Sequence, residues 1–252
     1  MKIFDCVTFF EENRQMNLRF NILDNYVDQF VVCEGKYDHQ GRKKKINFNV
    51  NNYKKFKKKI THVIVENFPK NLNPWERQAF QREQILKNIN QAKEDDLILF
   101  SDPDEIPNLS NFKKIEFKKK YIIFLQDLFY YKLNIKEVGF GNNWEGTRGC
   151  LKKNLKYGFW RIDKERNLQI LKNGGWHFSY LLTPIEIKRK IQTFAHNELN
   201  KQKYTNLNNI KNCIKNLKDL FHRKAKFRKV KIDNKFPKYI FKNRKKLSNW
   251  IV

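Results

Sequence analysis

The feature that most constrains this chain is an alternation of compact apolar runs with helical patterns. Lys2 to Thr8, Gln29 to Cys33, Ile60 to Val65 and Leu97 to Phe100 are short and β-rich. Between the first two, Glu11 to Leu23 carries Met16, Phe20 and Leu23 at helical spacing, with Asn25 as a stop. Between the last two, Asn73-Pro74 opens a helix with Asn as N-cap and Pro in the first turn, and the pattern runs to about Ala92. Strand, helix and strand in this order predict an α/β layer built on a mixed, mostly parallel sheet with helices on its faces.

The rest of the chain fits around that frame. Gly35 to Lys59 is polar and Lys-rich, a loop with a short helix, and Tyr121 to Leu133 is a strongly aromatic β-like run. Thr183-Pro184-Ile185-Glu186 is a capping box with Pro at its first helical position, predicting a helix to about Glu198. From residue 201 onward, 17 Lys and Arg face only Asp219 and Asp233. Leu220, Phe221, Phe227, Phe236, Ile240 and Trp250 punctuate that stretch. It therefore reads as a basic, aromatic-containing helical segment (201–252) packed on a main domain (1–200). The chain's 252 residues are enough to bury a real core.

Composition decides what the charge means. The formal net charge is +27, which invites a nucleic-acid partner. Yet 41 of the 53 basic residues are Lys, a flexible point charge, and only 12 are Arg, whose fork reads phosphate with geometry. Asn, Ile and Phe, whose codons are A/T-rich like those of Lys, are also abundant, so codon bias explains much of the excess without a partner. No specific nucleic acid is expected, and the basic C-terminal segment is left a peripheral contact with an anionic membrane or acceptor. With 15% aromatic residues the chain is not a disordered basic protein. No apolar run approaches the ~20 residues that span a bilayer. Asp5 interrupts any signal-peptide core, and Cys6, Cys33, Cys150 and Cys213 form no paired motif. A cytoplasmic protein with reduced thiols, peripheral to a membrane at most, is expected.

Chemistry concentrates in a few places. Asp102-Pro103-Asp104-Glu105 sets three carboxylates directly after an apolar strand, where ligands of open α/β sheets bind. Alternate acids in an extended turn can face one divalent cation, which can also hold a diphosphate; the bland alternative is an acidic turn offset by Lys or Arg. Arg77 and Gln81 share a helix face and Arg82 lies near the apolar stripe, so its guanidinium needs an anion, either a carboxylate such as Asp104 or a ligand phosphate. Gly174-Gly175-Trp176-His177-Phe178-Ser179 allows a close backbone approach and presents an imidazole, as a ligand or as a core histidine. Lys190, on the capped helix, is a phosphate contact or a surface lysine.

Several motifs together carry a resemblance. They are Lys2-Ile3-Phe4-Asp5-Cys6-Val7-Thr8-Phe9-Phe10-Glu11-Glu12; Val31-Val32-Cys33-Glu34 with Gly41 and Lys44; Trp75-Glu76-Arg77 with Phe80-Gln81-Arg82; Asp95 through Pro107; Gly175-Trp176-His177-Phe178-Ser179; and Phe194-Ala195-His196-Asn197-Glu198. In this order and spacing, over roughly residues 1 to 200, the chain resembles the glycosyltransferases of family 17, related to β-1,4-mannosyl-glycoprotein 4-β-N-acetylglucosaminyltransferase. Pro103 stands where the family usually has Val, and no counterpart of the animal members' Golgi anchor is expected. The resemblance implies a GT-A-like fold, a nucleotide-sugar donor (UDP-N-acetylglucosamine), a glycan or glycoconjugate acceptor, inversion at the anomeric carbon, and a divalent metal, Mn²⁺ or alternatively Mg²⁺. Carried onto this sequence, it implies metal ligands Asp102, Asp104 and His177, and donor contacts from Glu34, Trp75, Arg77, Gln81, Arg82, Asp102 and Lys190. An inverting displacement also needs a carboxylate to take the acceptor proton. Glu145, Asp127 and Glu105 are the candidates, with Glu145 preferred because Trp144 and Gly146 flank it. The reading from another class is a non-enzymatic basic protein binding nucleic acid or an anionic surface.

Overall fold

The computed structural model describes residues 1–139, 144–156 and 158–252. Strand β1 (Ile3–Phe9) leads into α1 (Asn13–Leu23), β2 (Gln29–Gly35), a 3₁₀ segment at Val50–Lys59, β3 (Ile60–Val65) and α2 (Pro74–Gln84). Then come β4 (Leu97–Ser101), β5 (Glu105–Pro107), β6 (Tyr121–Tyr130), β7 (Ile135–Glu137) and β8 (Trp144–Leu151). The chain continues through α3 (Phe159–Lys164), β9 (Leu168–Ser179), α4 (Pro184–Thr193), α5 (Gln202–Thr205) and α6 (Leu207–Lys215), to β10 (Phe227–Lys229) and α7 (Lys238–Lys242).

The sheet runs β10-β7-β6-β8-β4-β1-β2-β3, with β9 pairing β6 and β5 off that path. Its two halves differ. β4, β1, β2 and β3 are parallel, as the alternation predicts. From β4 outward, β8, β6, β7 and β10 pair antiparallel, with β9 parallel to β6. The sheet is therefore mixed, as expected, with its parallel pairs concentrated in the first half. β1 is buried along its whole length, because helices or loops cover both of its faces.

Local signals hold where they are strong. Asn73 and Thr183 both form complete capping boxes with Glu76 and Glu186, and Pro follows each. The second helix stops at Gln84 and tightens into a 3₁₀ turn at Ile85–Asn88, short of Ala92. The fourth ends at Thr193, because Phe194 turns extended, short of Glu198. Gly175 (φ +142°) lies where β9 crosses β5: a Cβ there would stand 2.1 Å from the Ile106 carbonyl oxygen, so only Gly fits.

Segment 201–252 is less helical than its composition predicts, because its helices are short and β10 extends the sheet edge. It is nonetheless built into the body. Ile232, Phe236 and Ile240 belong to the main core, and Ile210, Cys213, Leu220 and Phe221 pack with Tyr130, Tyr131 and Tyr180. Asn134 brackets the end of the segment, donating to the Val230 and Val252 carbonyl oxygens and accepting from the Val252 N–H. Among the described residues no helix is long and apolar enough to cross a membrane, and all four cysteines are buried free thiols.

Candidate active site

In this sheet order β1 has β2 on one side and β4 on the other, so the chain reverses its winding there. The crevice beyond the carboxyl ends of β1 and β4 is where an open α/β sheet binds ligands. Here it is a cleft of about 270 Å³. One end is lined by Phe9, Phe10, Gly35, Tyr37, His39 and Gln81, from the ends of β1 and β2 and the face of α2. The acids Asp102, Asp104 and Glu105 form the middle, and Leu128, Tyr130, Tyr180, Phe221 and Arg223 line the far end.

The acid turn is fixed from beneath. Arg19, on α1, is fully buried and makes a two-pronged pair with Asp5 of β1, at 2.6 and 2.5 Å. Its other donors reach the carbonyl oxygens of Glu105 (2.7 Å) and Asp102 (3.4 Å) and the Ser101 hydroxyl (2.9 Å). Ser101 and Thr147 share a hydrogen bond, and Thr147 donates to the Glu105 carbonyl while accepting from Gln126. A buried guanidinium with all directions satisfied makes a stiff foundation, because moving the turn would leave its charge unpaired. No motif reading singled out Arg19; the available signal was an Arg on the apolar face of an amphipathic helix.

Pairing of β5 with β9 sets Glu105 opposite His177, which brings the acids and the imidazole together. His177 Nε2 lies 3.5 Å from Asp104 Oδ1, and Lys190 Nζ lies 3.2 Å from Asp104 Oδ2 and 3.8 Å from Glu12. Burial works to raise the Asp104 carboxyl, but Lys190 and His177 overcome it and hold Asp104 well below the usual range. Burial would likewise lower His177 and Lys190, yet Asp104 raises both. Glu105 differs: burial, then the charge of Asp102, pushes its carboxyl up to about 7, against the pull of His177 and of Trp144. Trp144 Nε1 donates to Glu105 Oε1 at 2.6 Å, and its exposed ring tilts over His177 at 4.7 Å.

These positions sort the residues expected from the sequence. Glu105 faces the cleft. Glu145 is mostly exposed, pairs with Arg148 at 3.0 Å and lies outside the cleft lining; Asp127 is half-exposed beside Lys136 at 2.7 Å, also outside it. Strand alternation thus places Glu105, and neither Glu145 nor Asp127, on the cleft. Trp144 turns its indole to the acid turn, and the next residue turns away.

Glu34 is fully buried. Its carboxylate accepts from Lys44 Nζ and from the Asn47 and Phe48 N–H groups, with His62 at 3.7 Å, so it ties down the loop after β2 and does not reach the cleft. Trp75 is exposed, edge-on to His196 at 4.5 Å, and Arg77 donates to the His39 carbonyl beneath Gly41; neither lines the cleft. Gln81 does, bonded to His39 (2.8 Å) and to the Cys33 carbonyl (2.7 Å). Arg82 reaches Asp102 at 3.2 Å over the Phe100 ring, so a carboxylate is its partner in this arrangement. Lys190 is in the site, spent on Asp104.

As a metal set, Asp102, Asp104 and His177 do not converge, and among the described residues no three His, Cys, Asp or Glu side chains do. Asp104 is instead paired with His177 and Lys190 in this arrangement. Asp102 is the acid that fits a cation. It is 40% exposed on the cleft wall, and its charge helps raise Glu105, a local excess of negative charge that a divalent ion would offset.

Comparison with known proteins gives one family. The family profile described as Glycosyltransferase family 17 matches residues 1–229. No curated protein matches the chain. Among solved structures, the inositol-1-phosphate CTP transferase from T. maritima is 10% identical, covering 100% of this chain and 98% of that one, with a TM-score of 0.40. At that score the likeness carries no argument.

Proposed function

The chain belongs to glycosyltransferase family 17 and is a transferase; we propose that it moves N-acetylglucosamine from UDP-N-acetylglucosamine to a hydroxyl of a glycan acceptor, with inversion, on a GT-A-like framework. Family membership favours this enzyme over a non-enzymatic basic binder. The observation that carries the reading within the site is Glu105: buried, opposite His177, and oriented by Trp144 at the centre of a cleft at the sheet's switch point.

Each group has a task in this scheme. The nucleoside lies at the β1/β2 end, with Phe10 and Tyr37 along its wall and His39 and Gln81 as polar contacts. Its diphosphate approaches Asp102, with Arg82 beside it. Asp102 would hold the divalent cation, Mn²⁺ or Mg²⁺, together with donor oxygens. When bound, that ion supplies electrostatic stabilisation of the charge growing on the departing diphosphate. Lys190 keeps Asp104 ionised, and Asp104 in turn orients His177. The acceptor sugar rests against Trp144 and presents its hydroxyl to Glu105, which takes the proton as the glycosidic bond forms. The basic segment beyond residue 200 contributes Phe221 and Arg223 to the acceptor end.

The test is a panel of UDP- and GDP-sugars, each with and without Mn²⁺ or Mg²⁺, read by thermal shift. A compatible donor stabilises by about 2.7 kcal/mol when present at about a hundred times its Kd. UDP-N-acetylglucosamine should raise the melting temperature most, and the cation alone should raise that of wild type more than that of Asp102→Asn. A panel in which no UDP-sugar shifts melting overturns the donor reading, and equal cation shifts overturn the role of Asp102.

A further inference from the structure

The far end of the cleft has a composition of its own. Tyr130 from β6, Tyr180 just beyond β9 and Phe221 from the C-terminal segment form a connected set of rings, at 5.2 Å between the tyrosines and 5.7 Å from Tyr180 to Phe221. Tyr180 has a left-handed backbone (φ +51°), a strained conformation for a bulky residue and one that clusters at binding sites. All three rings are nearly buried yet line the cleft, so they give its far end an apolar surface.

Two cations touch this wall: Lys190 Nζ lies 5.5 Å from the Tyr180 ring but is engaged by Asp104, and Arg223 is set among the rings. Arg223 donates through Nε and Nη2 to the buried Asp219 and through Nη2 to the Tyr130 hydroxyl at 2.8 Å, with its guanidinium 5.0 Å from the Phe221 ring. It is thus held in one orientation, yet its side chain stays 50% exposed and lines the cleft. Among the described residues nothing takes its Nη1. Asp219 lies behind it, outside the lining, and the neighbouring chain adds His222, Lys224, Lys226 and Arg228 with no acid. The acids of the cleft all lie at the middle or toward the β1/β2 end.

We propose that this end is an acceptor subsite selective for a sugar bearing an anionic group, a carboxylate or a phosphate, docked on Arg223 against the Tyr130, Tyr180 and Phe221 rings. The proposal rests on the glycosyltransferase reading for the word acceptor; the anion selectivity is a property of the wall itself. A guanidinium fixed through Nε and Nη2, with Nη1 left as a charged donor in an aromatic surround, favours an oxyanion over a hydroxyl.

The full chain, saturated with UDP so that the diphosphate site is filled, is titrated with glucose, glucuronate and glucose 6-phosphate by ligand-observed NMR. Either acid, or both, should bind about tenfold tighter than glucose, the worth of one charge-assisted pair at a half-exposed site. The two acids distinguish carboxylate from phosphate recognition. The preference should shrink as salt rises, fall in Arg223→Lys, which keeps the charge without the fork, and vanish in Arg223→Gln. UDP binding should be unchanged in both variants, which also shows that they fold. Equal binding of the three sugars, no binding of either acid, or a preference that survives Arg223→Gln overturns the proposal. Selective acid binding by a protein that fails to bind UDP would leave the subsite standing and remove the donor assignment instead.

Discussion

The two halves of this sheet hold the cleft by different physics. The parallel half anchors its end with buried ions: Arg19 on Asp5 and on the carbonyls of the acid turn, and Glu34 under the loop after β2. The antiparallel half, joined by the C-terminal segment, anchors its end with rings, the Tyr130, Tyr131, Tyr180 and Phe221 set. Ions give a rigid, orientation-specific floor, suited to acids whose placement must not drift. Rings give an apolar wall, and Arg223 is set into it as a directional group. Glu105 stands between the two, held by Arg19 through its carbonyl and by Trp144 through its carboxyl.

Removing the chemistry at the junction should have the largest effect. Glu105→Gln keeps the side chain's shape and its bond from Trp144, so the melting temperature should hold while the transfer rate falls by ~10²–10⁴. Retained transfer in that variant would return the base role to Glu145 or Asp127. Next comes the ionic floor: Arg19→Met leaves Asp5 buried and unpaired, at a cost of about 3–5 kcal/mol in chemical denaturation. In the ring half, Tyr180→Phe keeps the buried ring and removes a hydroxyl that makes no hydrogen bond among the described residues, so it should cost less than about 1 kcal/mol. Equal costs would erase the distinction between the halves.

The smallest expected effect is the pH dependence of the Glu34 anchor. Burial acts to raise its carboxyl, but His62, Lys44 and two backbone N–H groups prevail and lower it below the ordinary 4.5. A depressed folded value means that the stability it contributes is present above 4.5 and is lost as pH falls through the folded value. Wild type should therefore lose more stability than Glu34→Gln on acidification below that pH. Parallel acid-unfolding curves for the two proteins would show that Glu34 carries no such anchor.

What sequence alone determined was local. The parallel strands, the Asn73 N-cap, the Thr183 capping box and the acid turn after β4 were all legible, because each depends on neighbours within a few residues. Membership of the family was legible for the same reason, since its motifs are short runs in a fixed order. Tertiary structure decided the rest. Which acid faces the cleft depends on the alternation of β8 and on the pairing of β5 with β9, 72 residues apart in the register of Glu105 and His177. The role of Arg19 depends on contacts 83 and 86 residues away, and that of Arg223 on Tyr130, 93 residues away. The partners of Asp104 were decided there too: Lys190 and His177 reach it only in the folded chain, where burial makes an unpaired charge costly and selects those partners.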